Sequence, residues 1–347
     1  LIACSNDSEP FPVALNPAKT VASQPNPKVI TIPVNQLMGL QDGNLEEERF
    51  NFPQALVQDS NGNAFIADTN NHLIRKISLN RDFSLFSKVS LLAGTGLLRF
   101  IDVSLIGRTL IGGFKDGNLS QFNSPSDIAL DERGNLYVTD TYNQRIRKIS
   151  LDGDVATLTG NEPRKDLTGT NSTEFKDGLR EQARFGRPIS LTYAPQEKLL
   201  YVLDDNLIRM VTLEGEVSTL KDMNQNPLKI EEGPFFKDFH QGIEFKDMEV
   251  DSKGLIYLAD TQFNSLVDNQ ADTNCAYISK IDPQMGTVTQ LTYEEFKNSS
   301  LYQELLTKDP LYVLDTRHQI RICPCKSSQL GLREPKMALN DFIESAS

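Results

Sequence analysis

The chain is 347 residues long, 39% hydrophobic and 24% charged, and its 35 basic against 47 acidic residues give a formal net charge of −12. That length can bury a sizeable core. The negative surplus, with no basic block anywhere, argues against nucleic acid as a partner, because a phosphate backbone is repelled unless positive charge is gathered in one place, and no apolar run is long enough to span a bilayer as a helix.

The sequence opens Leu1-Ile2-Ala3-Cys4-Ser5 without an initiator methionine, so a leader is expected upstream. A polar stretch follows, from Asn6 to about Lys28, with Pro10, Pro12, Pro17, Pro25 and Pro27. Such a composition cannot bury enough apolar area to fold, and it predicts a flexible tether over residues 1–27. Leu-Ile-Ala-Cys resembles the lipobox that ends a bacterial lipoprotein signal peptide. The resemblance implies that Cys4 is acylated and becomes the mature N-terminus. It places the protein at the bacterial cell envelope, on the outer membrane or facing the periplasm, and touching the membrane through the lipid alone.

Five later segments share one ending: Ala64 to Asp68, Leu136 to Asp140, Leu200 to Asp204, Ile256 to Asp260 and Leu311 to Asp315. Their aspartates are 72, 64, 56 and 55 residues apart, which a unit of about 55 residues with two enlarged copies explains. Each segment is a nearly continuous apolar run, as strands buried on both faces are. A turn precedes it, such as Asp131 to Asn135, with Gly134 supplying a positive φ. A third strand follows: Leu73 to Ile77, Arg145 to Ile149, Leu207 to Val211, Tyr277 to Ile281 and Gln319 to Ile322. A fourth, such as Val155 to Leu158 or Val217 to Leu220, completes the unit. Four-stranded units repeated radially predict an all-β fold, a single β-propeller over residues 28–325.

The text from Phe122-Asn123-Ser124-Pro125 through Gly134-Asn135-Leu136-Tyr137-Val138-Thr139-Asp140-Thr141 to Arg145-Ile146-Arg147-Lys148-Ile149 closely resembles the NHL repeat, and the first copy contains Asn71-His72-Leu73. The resemblance implies a propeller and no single function, since the same ring serves lyases and pure interaction proteins. Copy five lacks a fourth strand. Val29 to Ile32, followed by Asp42-Gly43 and Phe52-Pro53, repeats the order of Val155 to Leu158, Asp177-Gly178, Phe185 and Pro188. The N-terminal strand is therefore expected to close the ring, with five blades counted and six as the alternative. Residues 326–347 form a tail, with a short helix expected from Lys336 to Ser345.

The repeated aspartates Asp68, Asp140, Asp204, Asp260 and Asp315 are expected to serve the blades by accepting backbone N–H groups of the following turn, rather than to form a ring of metal carboxylates. Arg75, Arg147, Arg209 and Arg321 recur in the third strand, with Ser279 in their place in copy four, and are expected to pair with a neighbouring carboxylate. The Asp42-Gly43, Asp116-Gly117 and Asp177-Gly178 elements read as turns without the acidic alternation of a calcium loop. Cys275, just before a third strand, and Cys323, just after the next, lie at opposite ends of strands about 17 Å long, too far apart to bridge. Cys323-Pro324-Cys325 reads as ordinary thiols or a strained local bridge, with a soft metal as the alternative.

No nucleophile elbow, phosphate loop or paired zinc motif occurs. The long segments Gly94 to Ser124, Gly160 to Arg187, Lys221 to Glu244 and Gln262 to Ala276 all map to the face of the second-to-third-strand turns, and insertions of this kind concentrate on a binding face. His72, His240 and His318 map there too, so a divalent metal on these three is the one cofactor to consider; none is otherwise expected. The expected function is a monomeric, lipid-anchored binding or scaffold module that takes a protein or small-molecule ligand on that face. The alternative is a metal-dependent lyase or hydrolase with a channel metal.

Overall fold

Four of the repeat copies fold as antiparallel sheets around their apolar second strands. The computed structural model describes residues 3–4, 42, 50–79, 86–95, 99–103, 107–161, 175–230, 246–263, 274–291, 295–296, 298–307 and 314–315. Four sheets among them are blades. Blade 1 is Pro53–Gln58, Ala64–Asp68, Leu73–Leu79 and Phe86–Ala93. Blade 2 is Pro125–Leu130, Leu136–Asp140, Arg145–Ile149 and Val155–Thr159. Blade 3 is Pro188–Ala194, Leu199–Asp204, Leu207–Thr212 and Glu216–Thr219, with Gly178–Leu179 added along the fourth strand. Blade 4 is Lys246–Val250, Ile256–Phe263, Asn274–Asp282 and Thr287–Leu291.

The second strands of blades 1 and 2 are buried along their whole length, as their unbroken apolar text requires. The turn that leads into each is set by an aspartate. Asp131 Oδ1 accepts the N–H groups of Arg133 and Asn135, and Asp59 and Asp251 do the same in blades 1 and 4. First strands of successive blades lie side by side on the inner wall. Apolar clusters fill the spaces between blades. Phe65, Ala67 and Ile74 of blade 1 pack with Ile128, Leu136 and Val138 of blade 2. Tyr137 and Ile146 meet Leu191 and Val202, and Tyr201 and Leu203 meet Met248 and Leu258. Contact between blades is close enough that a Cβ at Gly215, whose φ is +93°, would collide with the Leu158 carbonyl of the preceding blade.

Blade 4 ends the series differently. Tyr257 takes the place that Tyr137 and Tyr201 hold in blades 2 and 3, yet a helix covers it, not a sheet. Helix Ser300–Thr307 brings Leu301 and Tyr302, with Phe296 just before it, onto Tyr257, Ile278 and Leu291. The Ser299 hydroxyl caps it by accepting the Tyr302 N–H at 3.2 Å, and Glu304 accepts from the Ser252 N–H and hydroxyl in the first hairpin of blade 4. The second and third strands of blade 4 also pair past Asp260, through Thr261–Ala276, Gln262–Cys275 and Phe263–Asn274. Cys275 thus lies inside a strand, not before one, because no short turn follows Asp260 as it follows Asp68 and Asp140. Apart from the blades, Arg99–Val103 pairs with Gly107–Ile111 as a hairpin within the connection from blade 1 to blade 2.

Of the expected fifth blade, Leu314–Asp315 is described, and it pairs in parallel with Ala3–Cys4. Val29 to Ile32, Gln319 to Ile322 and the tail with its expected helix lie outside the described residues. On the side of blade 1 away from blade 2, Phe50, Ala64, Ile66, Ile77 and Val89 are no more than 2% exposed. No helix among the described residues is long and apolar enough to cross a membrane.

Candidate functional site

The charged residues of the repeat meet in one arrangement, built three times. Arg147, fully buried, donates from Nη1 to Asp140 Oδ2 at 2.7 Å and from Nη2 to Asp116 Oδ1 at 2.5 Å. It also donates to the carbonyls of Gln121 and Lys115. Arg75 joins Asp68 and Asp42 at 3.1 and 2.6 Å, and Arg209 joins Asp204 and Asp177 at 2.8 and 2.9 Å. Each guanidinium lies about one ring-width from a buried phenylalanine: Phe50, Phe122 and Phe185, at 5.1, 5.1 and 5.2 Å from the centroids. Phe114 lies over Arg145 and Arg147 as well. Phe50 rather than Phe52 thus matches Phe122 and Phe185, three residues before the proline that opens each first strand; Phe52 is 40% exposed.

The Asp-Gly elements are more than turns. Asp116 accepts the Thr157 N–H, Asp177 the Thr219 N–H and Asp42 the Leu91 N–H. These residues sit opposite Arg147, Arg209 and Arg75 on the fourth strands. In blades 1, 2 and 3 the segment that enters the blade therefore reaches its outer strand and ties that strand to the blade's arginine. The repeated aspartate faces the other way from expectation. It does accept backbone N–H groups, but from the segment before the first strand: Asn51 for Asp68, Asn123 for Asp140, Gly186 and Arg187 for Asp204. In blades 1 and 2 the following turn contributes a side chain, Asn71 or Asn143. Burial pushes Asp68 up to about 6 and Asp204 up to about 7, against the lowering by these donors and the arginines. Asp140 is raised by burial as well.

His72 is a turn residue. It ends the 3-10 turn Thr69–Asn71 in the left-handed region at φ 57°, and its Nδ1 accepts the Ser124 N–H of blade 2 at 2.9 Å. Gln144 holds the same place after Thr141–Asn143, at φ 54°, and donates to the Gly186 carbonyl of blade 3. These turns clip each blade to the next, aided by Thr69 and Thr141, whose hydroxyls donate to the Pro125 and Pro188 carbonyls. His240, His318, Arg321, Cys323, Cys325 and the side chains of Cys4, Asp260, Cys275 and Asp315 lie outside the described residues. Ser279, in place of the arginine, sits opposite Leu258 in blade 4. Among the described residues no group of three or more His, Cys, Asp or Glu could hold a metal ion.

Sequence reading passed over the inner wall. Asp127, Ser190 and Asp247 sit opposite Thr139, Leu203 and Ala259, the residues before the repeated aspartates of blades 2, 3 and 4; Ala55 sits opposite Ala67 in blade 1. Asp127 Oδ2 accepts the Ser190 hydroxyl at 2.6 Å and the Leu191 N–H at 2.8 Å, while Oδ1 accepts its neighbour's N–H from Ile128. Ser190 Oγ in turn accepts the Met248 N–H at 3.1 Å, which Asp247 Oδ1 shares at 2.9 Å. Burial and the nearby Asp247 carboxylate push Asp127 up to about 8, even though three donors oppose the shift. An acidic residue recurring in an otherwise apolar first strand was the available signal, but it appears in two copies only.

The blades' strand order puts the second-to-third-strand turns and the starts and ends of the connections at the same end of each sheet. Tyr142, in the turn of blade 2, is 58% exposed there.

A family pattern described as the Teneurin NHL domain matches residues 57–262. Teneurin-1 of Gallus gallus is 30% identical over 151 residues, 43% of this chain and 5% of that protein. NHL repeat-containing protein 2 of Homo sapiens is 27% identical over 325 residues, 85% of this chain and 42% of that protein. The chain therefore spans less than half the length of either relative. Among solved structures, a catalytically inactive virginiamycin B lyase from Staphylococcus aureus is similar with a TM-score of 0.36 and 11% identity, covering 72% of this chain and 73% of that one.

Proposed function

Since the chain belongs to the family of the Teneurin NHL domain, an NHL-repeat β-propeller, we propose that it acts as a binding or scaffold module. It takes a protein or small-molecule ligand on the face of the second-to-third-strand turns, works as a monomer, and is held at a bacterial cell envelope by lipid on Cys4. One observation carries the reading of the face. The long connections and the turns that clip blade to blade leave from the same end of every sheet, so loops there can vary while the charged units inside the blades stay satisfied. The lipid anchor rests on the Leu-Ile-Ala-Cys text and the proline-rich stretch after it.

Two experiments test it. Tyr142→Ala removes an exposed aromatic on the proposed face, and Leu151→Ala removes an exposed side chain in the hairpin at the opposite end of the same blade. Cross-linking in intact cells should yield a specific adduct with the parent chain that Tyr142→Ala weakens and Leu151→Ala leaves unchanged. Equal loss from both overturns the assignment of the face. Expressed behind a lipoprotein leader, the parent should incorporate labelled palmitate and sediment with membranes, and Cys4→Ser should do neither. Label retained in Cys4→Ser overturns the anchor.

A further inference from the structure

Blade 4 departs from blades 1, 2 and 3 at its outer edge. In those three, an aspartate of the entering segment accepts the fourth-strand N–H that stands opposite the arginine, that of Leu91, Thr157 or Thr219. In blades 2 and 3 it accepts the hydroxyl of the same threonine as well, at 3.1 and 2.8 Å. The matching place in blade 4 belongs to Gln290, which stands opposite Ser279 as Thr157 stands opposite Arg147. That register turns the Gln290 N–H outward, away from the third strand. Among the described residues nothing accepts it.

The strand is bare beyond its edge. Thr287 to Gln290 are exposed in a row. Val288 stands opposite Ile281 as Val155 stands opposite Ile149, yet it is 40% exposed where Val155 is 1%. The text Thr-Val-Thr-Gln carries neither a charge nor a proline, the devices that blunt an open edge.

The chain contains a segment that fits this place. Phe114-Lys115-Asp116 and Phe175-Lys176-Asp177 supply the edge aspartates of blades 2 and 3, and Phe236-Lys237-Asp238 repeats their text. The aspartates are 61 residues apart at each step. They precede the first strands of blades 2, 3 and 4 by 9, 11 and 8 residues.

We infer that the outer edge of blade 4 is the docking site of the chain's own residues 236–238, with the Asp238 carboxylate accepting the Gln290 N–H. These three residues lie outside the described ones; the open edge and the shared text assign them to it. A carboxylate on a backbone N–H is a charge-assisted hydrogen bond, stronger than its neutral counterpart. Two differences set how much of the arrangement carries over. Ser279 replaces the arginine, so no guanidinium joins this carboxylate to the blade. Phe239 stands where Gly117 and Gly178 take φ of +86° and +147°, a region that an aromatic residue enters only under strain. The path after Asp238 is therefore its own, and the contact common to the blades is that of the carboxylate.

Amide hydrogen exchange of the full chain, resolved to single residues by mass spectrometry with electron-transfer fragmentation, tests the docking. The Gln290 amide should be protected in the parent, and Asp238→Ala should speed its exchange by about tenfold or more. The Thr157 amide, capped by Asp116, should not change in that variant. Asp238→Asn keeps an acceptor oxygen without the charge, so its Gln290 amide should exchange at a rate between the two, which keeps the test open if Asp238→Ala does not fold. A Gln290 amide that exchanges in the parent as freely as in an unfolded chain, or that stays protected in Asp238→Ala, overturns the docking. Protection that appears only as the protein is concentrated gives the edge to a second copy and overturns it as well.

Discussion

Arg147→Met should cost about 3–5 kcal/mol, the range for breaking a buried ion pair from one side. The guanidinium donates four hydrogen bonds, to Asp140, Asp116 and the carbonyls of Gln121 and Lys115. Methionine fills much of the slot between Phe114 and Phe122 and supplies none of the donors. What makes the loss large is Asp140, fully buried, which would keep the Asn123 N–H and the Asn143 amide but no cation. Asp116 is half-exposed and can turn to water, so Asp116→Asn should cost no more than about 1 kcal/mol. Urea unfolding followed by circular dichroism reads both as shifts of the midpoint. The decisive measurement is the double variant. If the stranded carboxylate is the source of the cost, adding Asp140→Asn to Arg147→Met should recover part of the loss, giving a coupling of about 1 kcal/mol or more. Strict additivity, or an Arg147→Met penalty no larger than that of Asp116→Asn, refutes the reasoning. It would mean that the aromatic packing, kept by methionine, holds the blade and that the charges are passengers.

Three other outcomes are expected. His72→Gln should change stability by no more than about 0.5 kcal/mol, because Gln144 stands in the same left-handed turn position one blade on. His72→Val, branched at a φ of 57° and without an acceptor for the Ser124 N–H, should cost about 1–3 kcal/mol in the same urea assay; equal effects of the two would show that the turn clip has no stabilising role. Tyr302→Ala should destabilise by about 3–5 kcal/mol, since it empties the aromatic seal with Phe296, 5.5 Å away, and a smaller loss would mean that the helix rests on blade 4 without holding it. Asp68 and Asp204, raised by burial to about 6 and about 7, keep protons in the folded chain that the unfolded chain has released, so unfolding free energy should fall as pH rises from about 4 to 7. A urea midpoint that climbs across that window contradicts the raised values.

The propeller was legible because its strongest signal is local. A five-residue apolar run ending in aspartate must be buried on both faces, and a turn fixed by Asp131 or Asp251 must precede it, so repetition of the text forces repetition of the sheet. The third-strand arginine was legible for the same reason: a charge recurring inside a buried strand requires a counter-charge, and Asp140 was within reach. What the text hides is partnership across distance. Nothing local in Asp116-Gly117 tells a turn from a turn whose carboxylate also caps the Thr157 N–H and answers Arg147, because that role exists only once the connection has wrapped the blade it enters. Phe50 and Phe52 are equally apolar, and only the position of the arginine separates the buried ring from the exposed one. The helix that covers Tyr257 is hidden differently. A tyrosine at that strand position calls for an apolar cover in every copy, and the periodicity of the repeat suggests another blade. Eight residues of helix with Leu301 and Tyr302 on one side meet the same demand. Physical need fixes that the face is covered; it does not fix by what. The inner wall is similar: the first-strand residue opposite the one before the repeated aspartate can accept an N–H of the next blade, although Ala55 of blade 1 has no side-chain acceptor. Asp127 and Ser190 both do so, but only the carboxylate brings a proton equilibrium with it. The repeat therefore carries the architecture in the residues its copies share, while the polar links of the inner wall lie in residues by which the copies differ.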